Sequence, residues 1–359
     1  MSGGFALIGV ELLENIESKE NTECEKPALA GYKTVCAKLG LSMIAYFICR
    51  LLGGWIVSLI ANNSRDLGDI AFGIITISVN ILLVYIIPLL VTILVFKSYA
   101  NYKGKYHELY AKPKRLARAM GTFPATFGFG YGIALLTLLT AYIISRFTGG
   151  QTLIEDLLRP PTMEPTTNIA TLIGMAFMMV VIAPLFEEYW TRGIMYDALK
   201  PYGTGMAIII SSVIFGLMHG NLYMLFYTTA FGFALGYIRY ATNSLFIPTI
   251  IHAIVNSLAA LTLLLTAAME ITNEQNRLLN TVYNIYLIAF LILVIVGIIV
   301  FLAKIPKIRK YRFENPWKQI GPWKKTAWFI ISIPVIIMLM LAFNEISGGW
   351  LFNLIIDRF

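Results

Sequence analysis

Runs of mostly apolar residues, each of the 18 or so that a bilayer-crossing helix needs, recur along this chain, with Lys and Arg gathered between them. Inside hydrocarbon the backbone must satisfy its own polar groups, so such runs fold as helices. Of the 359 residues, 58% are hydrophobic and 13% are charged, whereas a soluble globular chain carries roughly 25% charged residues. Mean hydropathy is +0.72. No soluble domain of any size can be cut from it, and the expected fold class is all-α: a polytopic transmembrane helix bundle.

About nine spans, eight at the least, can be drawn, at roughly 39–62, 70–96, 120–145, 170–199, 204–220, 222–240, 243–266, 281–303 and 326–344. Two connecting loops hold more than half of the 28 Lys and Arg. One carries Lys97, Lys103, Lys105, Lys112, Lys114, Arg115 and Arg118, and the other Lys304, Lys307, Arg309, Lys310, Arg312, Lys318, Lys324 and Lys325. Cations favour the cytoplasmic side, so both loops face the cytoplasm. Parity agrees, because the six spans between them return the chain to the same side. The N-terminus then lies inside, and the C-terminus and the loops around 147–168 and 267–280 lie outside.

Four regions follow: an acidic segment at 1–30, transmembrane helices over 31–164, a helix bundle over 165–266, and helices with a tail over 267–359. Segment 1–30 has the acids Glu11, Glu14, Glu17, Glu20, Glu23 and Glu25. It lacks the basic and apolar regions of a secretory signal and could form a helix on the membrane surface, while Gly349 to Phe359 reads as an interfacial tail. Cys24, Cys36 and Cys49 form no CxxC pair and imply neither a disulfide framework nor a zinc knuckle. The net charge of +8 sits beside the spans, where anionic lipid and helix orientation account for it. Nucleic acid is not an expected partner; the lipid bilayer is.

Ionisable groups inside a bilayer cost about 2.5 to 3.5 kcal/mol each, so each one marks a candidate site. Glu187 and Glu188 follow the apolar run Gly174 to Phe186, and Arg192 comes four residues after Glu188. His219 ends the run Met206 to Met218, and His252 and Asn256 lie within Leu245 to Leu265. Two of the chain's three histidines are here; the other, His107, falls in a basic loop. Arg50 stands in the first span, to pair inside the bundle or snorkel.

Positions i and i+4 share a helix face, so Arg192 sits over Glu188 and holds it ionised. Glu187 is turned about 100° away; without that partner it is the better general base. His252 and Asn256, also i and i+4, present an imidazole and an amide on one face, both able to donate. If Pro201 to Thr204 form an inner turn with Gly203 as breaker, Glu187 and His219 stand at the same height, roughly 22 to 24 Å above it, and His252 at about 15 Å above the next. Pro184 and Pro248, just before Glu187 and His252, can each free a carbonyl near the site, though Pro248 equally suits a first helical turn. Gly232 and Gly236 form a GxxxG pair suited to close helix packing.

The ordered set Glu187-Glu188-Tyr189-Trp190-Thr191-Arg192, Phe215-Gly216-Leu217-Met218-His219 and His252-Ala253-Ile254-Val255-Asn256 resembles the EExxxR, FxxxH and HxxxN motifs of the CAAX-protease and bacteriocin-processing family, over roughly residues 165 to 266. The resemblance implies an intramembrane endopeptidase akin to the type II CAAX prenyl proteases, acting on a membrane-associated peptide or protein and residing in the cell membrane of a bacterium. It implies that Glu187 and His219 activate a water, that His252 and Asn256 stabilise the oxyanion, and that Glu188 and Arg192 support the site. Family names often say metalloprotease, and Glu187, His219 and His252 would make a His2Glu zinc set. There is no HExxH and an amide occupies the HxxxN pair, so the expectation is a metal-free water and no cofactor. Two other classes stay open: a proton-coupled secondary transporter using the same buried Glu and His, and a non-catalytic bacteriocin-immunity or scaffold protein.

The charge distribution predicts that a reporter fused after Phe359 is active on the outer side of the membrane. A cytoplasmic signal would mean that one span is miscounted, the short 204–220 run being the first suspect.

Overall fold

A computed structural model describes residues 4–63, 68–97, 109–113, 116–148, 168–272, 276–308, 313 and 320–347, with only the backbone described for 4–26, 63 and 69. His107, most of the two basic loops, nearly all of the loop around 147–168 and the tail from Gly349 to Phe359 lie outside the described residues. Every regular element among the described residues is helical. They are α1 (Gly4–Asn63), α2 (Ile70–Val95), α3 (Leu116–Phe147), α4 (Ile169–Tyr202), α5 (Thr204–Leu217), α6 (Leu222–Thr242), α7 (Phe246–Ile271), α8 (Arg277–Ile308), α9 (Pro322–Ile330) and α10 (Ile333–Ile346).

Six of these helices, α1 to α4, α7 and α8, are long and apolar enough to cross a membrane. The pair α9 and α10 makes a seventh if its halves form one span across a 69° bend. All nine stretches drawn from the sequence are thus helical, but α5 and α6 are not among the candidate spans. Helix α5 has 14 residues, roughly 21 Å at 1.5 Å per residue, which falls short of a hydrocarbon core of about 30 Å. Helix α6 is long enough at 21 residues, but its Tyr, Thr, Gly and Arg residues dilute its apolar character. Both are sheltered by neighbours: α5 packs on α6 and α4, and α6 packs on α3 and α7 as well.

Two large apolar cores hold the described part of the bundle. One joins α1, the end of α4, α5 and α10 around Tyr32, Leu39, Met43, Trp190, Met195 and Met338. The other joins α3, α5, α6, α7 and α8 around Phe127, Phe215, Phe231, Ile251 and Val294. The outward faces stay apolar: Leu278, Ile285, Ile288 and Leu291 of α8 are exposed. Such a surface is a liability in water and the natural contact of a helix with lipid tails. The protein is an integral membrane helix bundle.

Backbone breaks fall where the sequence allows them. Gly203 ends α4 at φ 134°, Gly220 turns the chain after α5 at φ 64°, and Asn243 closes α6 at φ 49°. Those positive angles suit Gly and Asn far better than other residues. Lys325, one of the cations that the sequence assigns to a basic loop, is instead buried on α9, where its Nζ donates to the Tyr202 carbonyl at the end of α4.

Helices α3 and α8 touch backbone to backbone. A Cβ on Gly128 would collide with the main chain of Gly297 and Ile298, whereas one on Gly132 would meet only the Ile298 side chain, at 3.5 Å. Gly128→Ala should therefore lower the thermal midpoint in detergent, by the 1 to 3 kcal/mol or so that overpacking costs, while Gly132→Ala should leave it unchanged. Equal midpoints for the two variants would show that α3 and α8 are not in this register.

Candidate active site

Helix α4 carries Glu187, Glu188 and Arg192, and it is not a regular α-helix. Residues Met178–Ile182 and Tyr189–Met195 are wound as π-helix, in which each N–H reaches the carbonyl five residues back. The first π-turn lies just before Pro184. Proline has no N–H to give, and in that pattern the carbonyl left without its donor is that of Met179. The Asn256 amide fills the gap: its Nδ2 donates to the Met179 carbonyl at 2.8 Å. Pro248 is the other case, seated in the first turn of α7, where a missing N–H costs nothing.

The second π-turn sets the carboxylates. Glu188 and Arg192 are fully buried and bonded, Arg192 Nη1 donating to Glu188 Oε1 at 2.9 Å, as their i, i+4 spacing requires. Nη1 also lies 2.6 Å from the Thr191 hydroxyl, and the guanidinium stacks 4.2 Å from the centre of the Phe215 ring. A side chain at Gly232 would stand 2.9 Å from Arg192 Nη2 and 3.2 Å from the backbone of Ser212. The bare glycine thus admits both the guanidinium and the approach of α5. Arg239 of α6 secures the same turn by donating Nε to the Arg192 carbonyl at 3.2 Å.

His252 joins the two glutamates. Its Nδ1 is 3.0 Å from Glu188 Oε1 and its Nε2 is 3.9 Å from Glu187 Oε2. A carboxylate oxygen accepts, so Nδ1 carries the proton in that bond. The ring is buried between Phe215 and Phe231, each with its centre 5.6 Å away. The sequence sets His219 opposite Glu187; in the structure the imidazole beside Glu187 is that of His252. The unequal heights counted from the turns do not keep them apart, because a π-turn packs more residues into each turn than an α-helix, so Glu187 rises less than a count of α-helical residues implies.

His219 reaches the same cluster across Phe215, whose ring centre is 4.9 Å from its own. Its Nδ1 bonds the Phe215 carbonyl at 2.8 Å. A carbonyl only accepts, so neutral His219 presents Nε2 as an acceptor. Glu187 keeps 13% of its side chain exposed, against none for Glu188. The Tyr85 ring of α2 packs edge-on against Phe186, beside Glu187.

Sequence reasoning misses a further group around His219. The Met218 carbonyl accepts from Tyr46 Oη at 2.8 Å and from Arg50 Nη1 at 2.5 Å, and Arg50 Nε pairs with Glu345 of α10. Arg50 itself is legible as a misplaced cation. Glu345 is not, since the last span drawn from the sequence stops one residue before it.

Among the described residues no three His, Cys, Asp or Glu side chains converge as metal ligands.

Arg192→Ala strands a buried carboxylate, which typically costs about 3 to 5 kcal/mol. The folded yield in detergent should fall together with any activity, and Glu188→Gln should restore part of the yield to the Arg192→Ala protein. A normal yield for Arg192→Ala would show that the pair does not hold the fold.

Residues 169–258 match a family model described as Type II CAAX prenyl endopeptidase Rce1-like. A relative from Bacillus subtilis (strain 168), named "Putative membrane peptidase YdiL", is 31% identical over 99 residues, covering 26% of this chain. The match spans less than half of that relative's length, 41%. No solved structure matches. The matched stretch runs from α4 to the middle of α7 and so contains Glu187, Glu188, Arg192, His219, His252 and Asn256. This segment is thus similar to the type II CAAX prenyl endopeptidase Rce1-like family and to that membrane peptidase relative.

Proposed function

We propose that this protein is an intramembrane endopeptidase that hydrolyses a peptide bond in a membrane-associated peptide or protein, in the cell membrane of a bacterium. The observation that carries this reading is the unequal commitment of two adjacent glutamates. Glu188 Oε1 is shared between Arg192 and His252 in full burial, whereas Glu187 retains exposure and meets the second nitrogen of His252. One carboxylate is fixed as a counter-ion; the other is available to take a proton.

In the proposed reaction Glu187 accepts a proton from water while Nε2 of His219 accepts a hydrogen bond from the same molecule and orients it. The water oxygen attacks the peptide carbonyl carbon. Charge develops on the carbonyl oxygen, where His252 donates from Nε2 and Asn256 from the N–H not given to Met179. A ring that donates from both nitrogens is an imidazolium; with Arg192 it balances the two carboxylates, so the buried cluster is neutral. Collapse breaks the C–N bond, and the proton held by Glu187 passes to the leaving amine. Glu188 orients His252, and Arg192 supplies the counter-charge of Glu188. The water needs no metal in this scheme.

Turnover of a membrane-anchored reporter peptide at matched expression tests the assignment. Glu187→Gln should lower the rate about 10² to 10⁴-fold in a folded protein. His219→Ala should do the same, and the double variant should be little worse than either, since groups acting as a unit are non-additive. Asn256→Ala should cost about 10² to 10³-fold, and a chelator should leave wild-type turnover unchanged. Wild-type cleavage by all three single variants would sink the protease reading in favour of transport or immunity. Loss of turnover with chelator would sink only its metal-free form.

A further inference from the structure

Beyond its bond to the Phe215 carbonyl, the turn that carries His219 is held by residues from outside the matched segment. The turn Met218–Gly220 follows α5, so the Met218 carbonyl is one of the helix-end carbonyls without an intrahelical donor. It receives two donors from α1, the Tyr46 hydroxyl and Arg50 Nη1, and Arg50 Nη1 also donates to Tyr46 Oη at 3.1 Å. Arg50 is held in turn by Glu345 of α10. Glu345 presses on the turn from the other side: a Cβ on Gly220 would meet its carboxyl carbon at 2.8 Å and Arg50 Nη2 at 3.0 Å. The Tyr46 ring packs edge-on against Trp190, two residues after Glu188. A charged pair from two distant parts of the chain thus grips one peptide turn, on the residues that flank His219.

We propose that Arg50, locked by Glu345 and seconded by Tyr46, is a positioning residue that sets the His219 imidazole against the Glu187 and His252 cluster. Stability alone is a poor account of the pair. The pair is only partly buried, with 33% of the Arg50 side chain and 19% of that of Glu345 exposed, and ion pairs of that kind add little net stability. What an apolar pair cannot do is donate to the Met218 carbonyl. His219 is already tied at Nδ1 to the Phe215 carbonyl; a second anchor on the peptide just before it removes the remaining freedom of the turn. The inference rests on the reading in which His219 orients a water.

The test is Arg50→Met with Glu345→Met in one protein, beside Glu187→Gln, in the membrane-anchored reporter assay. The double methionine variant should keep or raise its thermal midpoint in detergent, while kcat falls about 10- to 100-fold, as misplacement of a reacting group by an ångström can cause, and KM stays nearly constant. Wild-type kcat, or a change confined to KM, overturns the proposal. Should the double variant fail to fold, Tyr46→Phe decides. Losing that one donor should lower kcat about fivefold with only a small drop in the midpoint, and an unchanged kcat overturns the proposal. Glu187→Gln separates the two levels: if it still cleaves, the protease reading has failed and this inference falls with it. If it is inactive while the double methionine variant runs at full speed, only the positioning role is wrong.

Discussion

Glu188 Oε1 accepts from Arg192 and from His252, so a residue on α7 is aligned by a charge pair internal to α4, and the rest of the site is arranged around that oxygen. In a low-dielectric interior neither charge tolerates loss of the other, so the pair is worth more for the geometry it enforces than for net stability. With Nδ1 of His252 committed there, the direction of Nε2 is fixed, and it opens on the side where Glu187 stands 3.9 Å away. The acid residue proposed for chemistry is thereby held near an imidazole whose own orientation is fixed one layer further back.

Irregular winding of α4 builds the same region. Pro184 rules out one backbone bond, and the helix answers with a wider turn whose spare carbonyl is satisfied by Asn256. That single contact ties the end of the HxxxN motif to the helix bearing the glutamates. The Tyr189–Met195 turn repeats the device on the other side of them, with Arg239 supplying the stabilising donor. Wide turns of this kind are rare in helices and occur often at functional sites.

Some of this is legible residue by residue. The Glu188–Arg192 bond follows from i, i+4 spacing, the break at Gly203 follows from glycine after a proline turn, and Gly232 and Gly236 do pack closely, against Ser212 and Ile208 of α5. The pairing of Arg50 with Glu345 is not legible, because the two stand near opposite ends of the chain and nothing local relates them. Nor is the imidazole that stands beside Glu187. Counting residues from a turn assumes straight α-helices at a uniform rise, and α4 violates that assumption twice.

By itself the sequence determined that this chain lives in a bilayer as helices, because backbone satisfaction in hydrocarbon admits little else. It also determined which side chains are too costly to be there by accident. Only the tertiary structure decided which of those groups meet. Contacts along one helix are set by its period, but contacts between helices depend on their rotation, tilt and winding, which arise from the whole packing and from no local pattern. That is why α5, too short to span, can still deliver His219 to the cluster, and why helices outside the matched segment close the site around it.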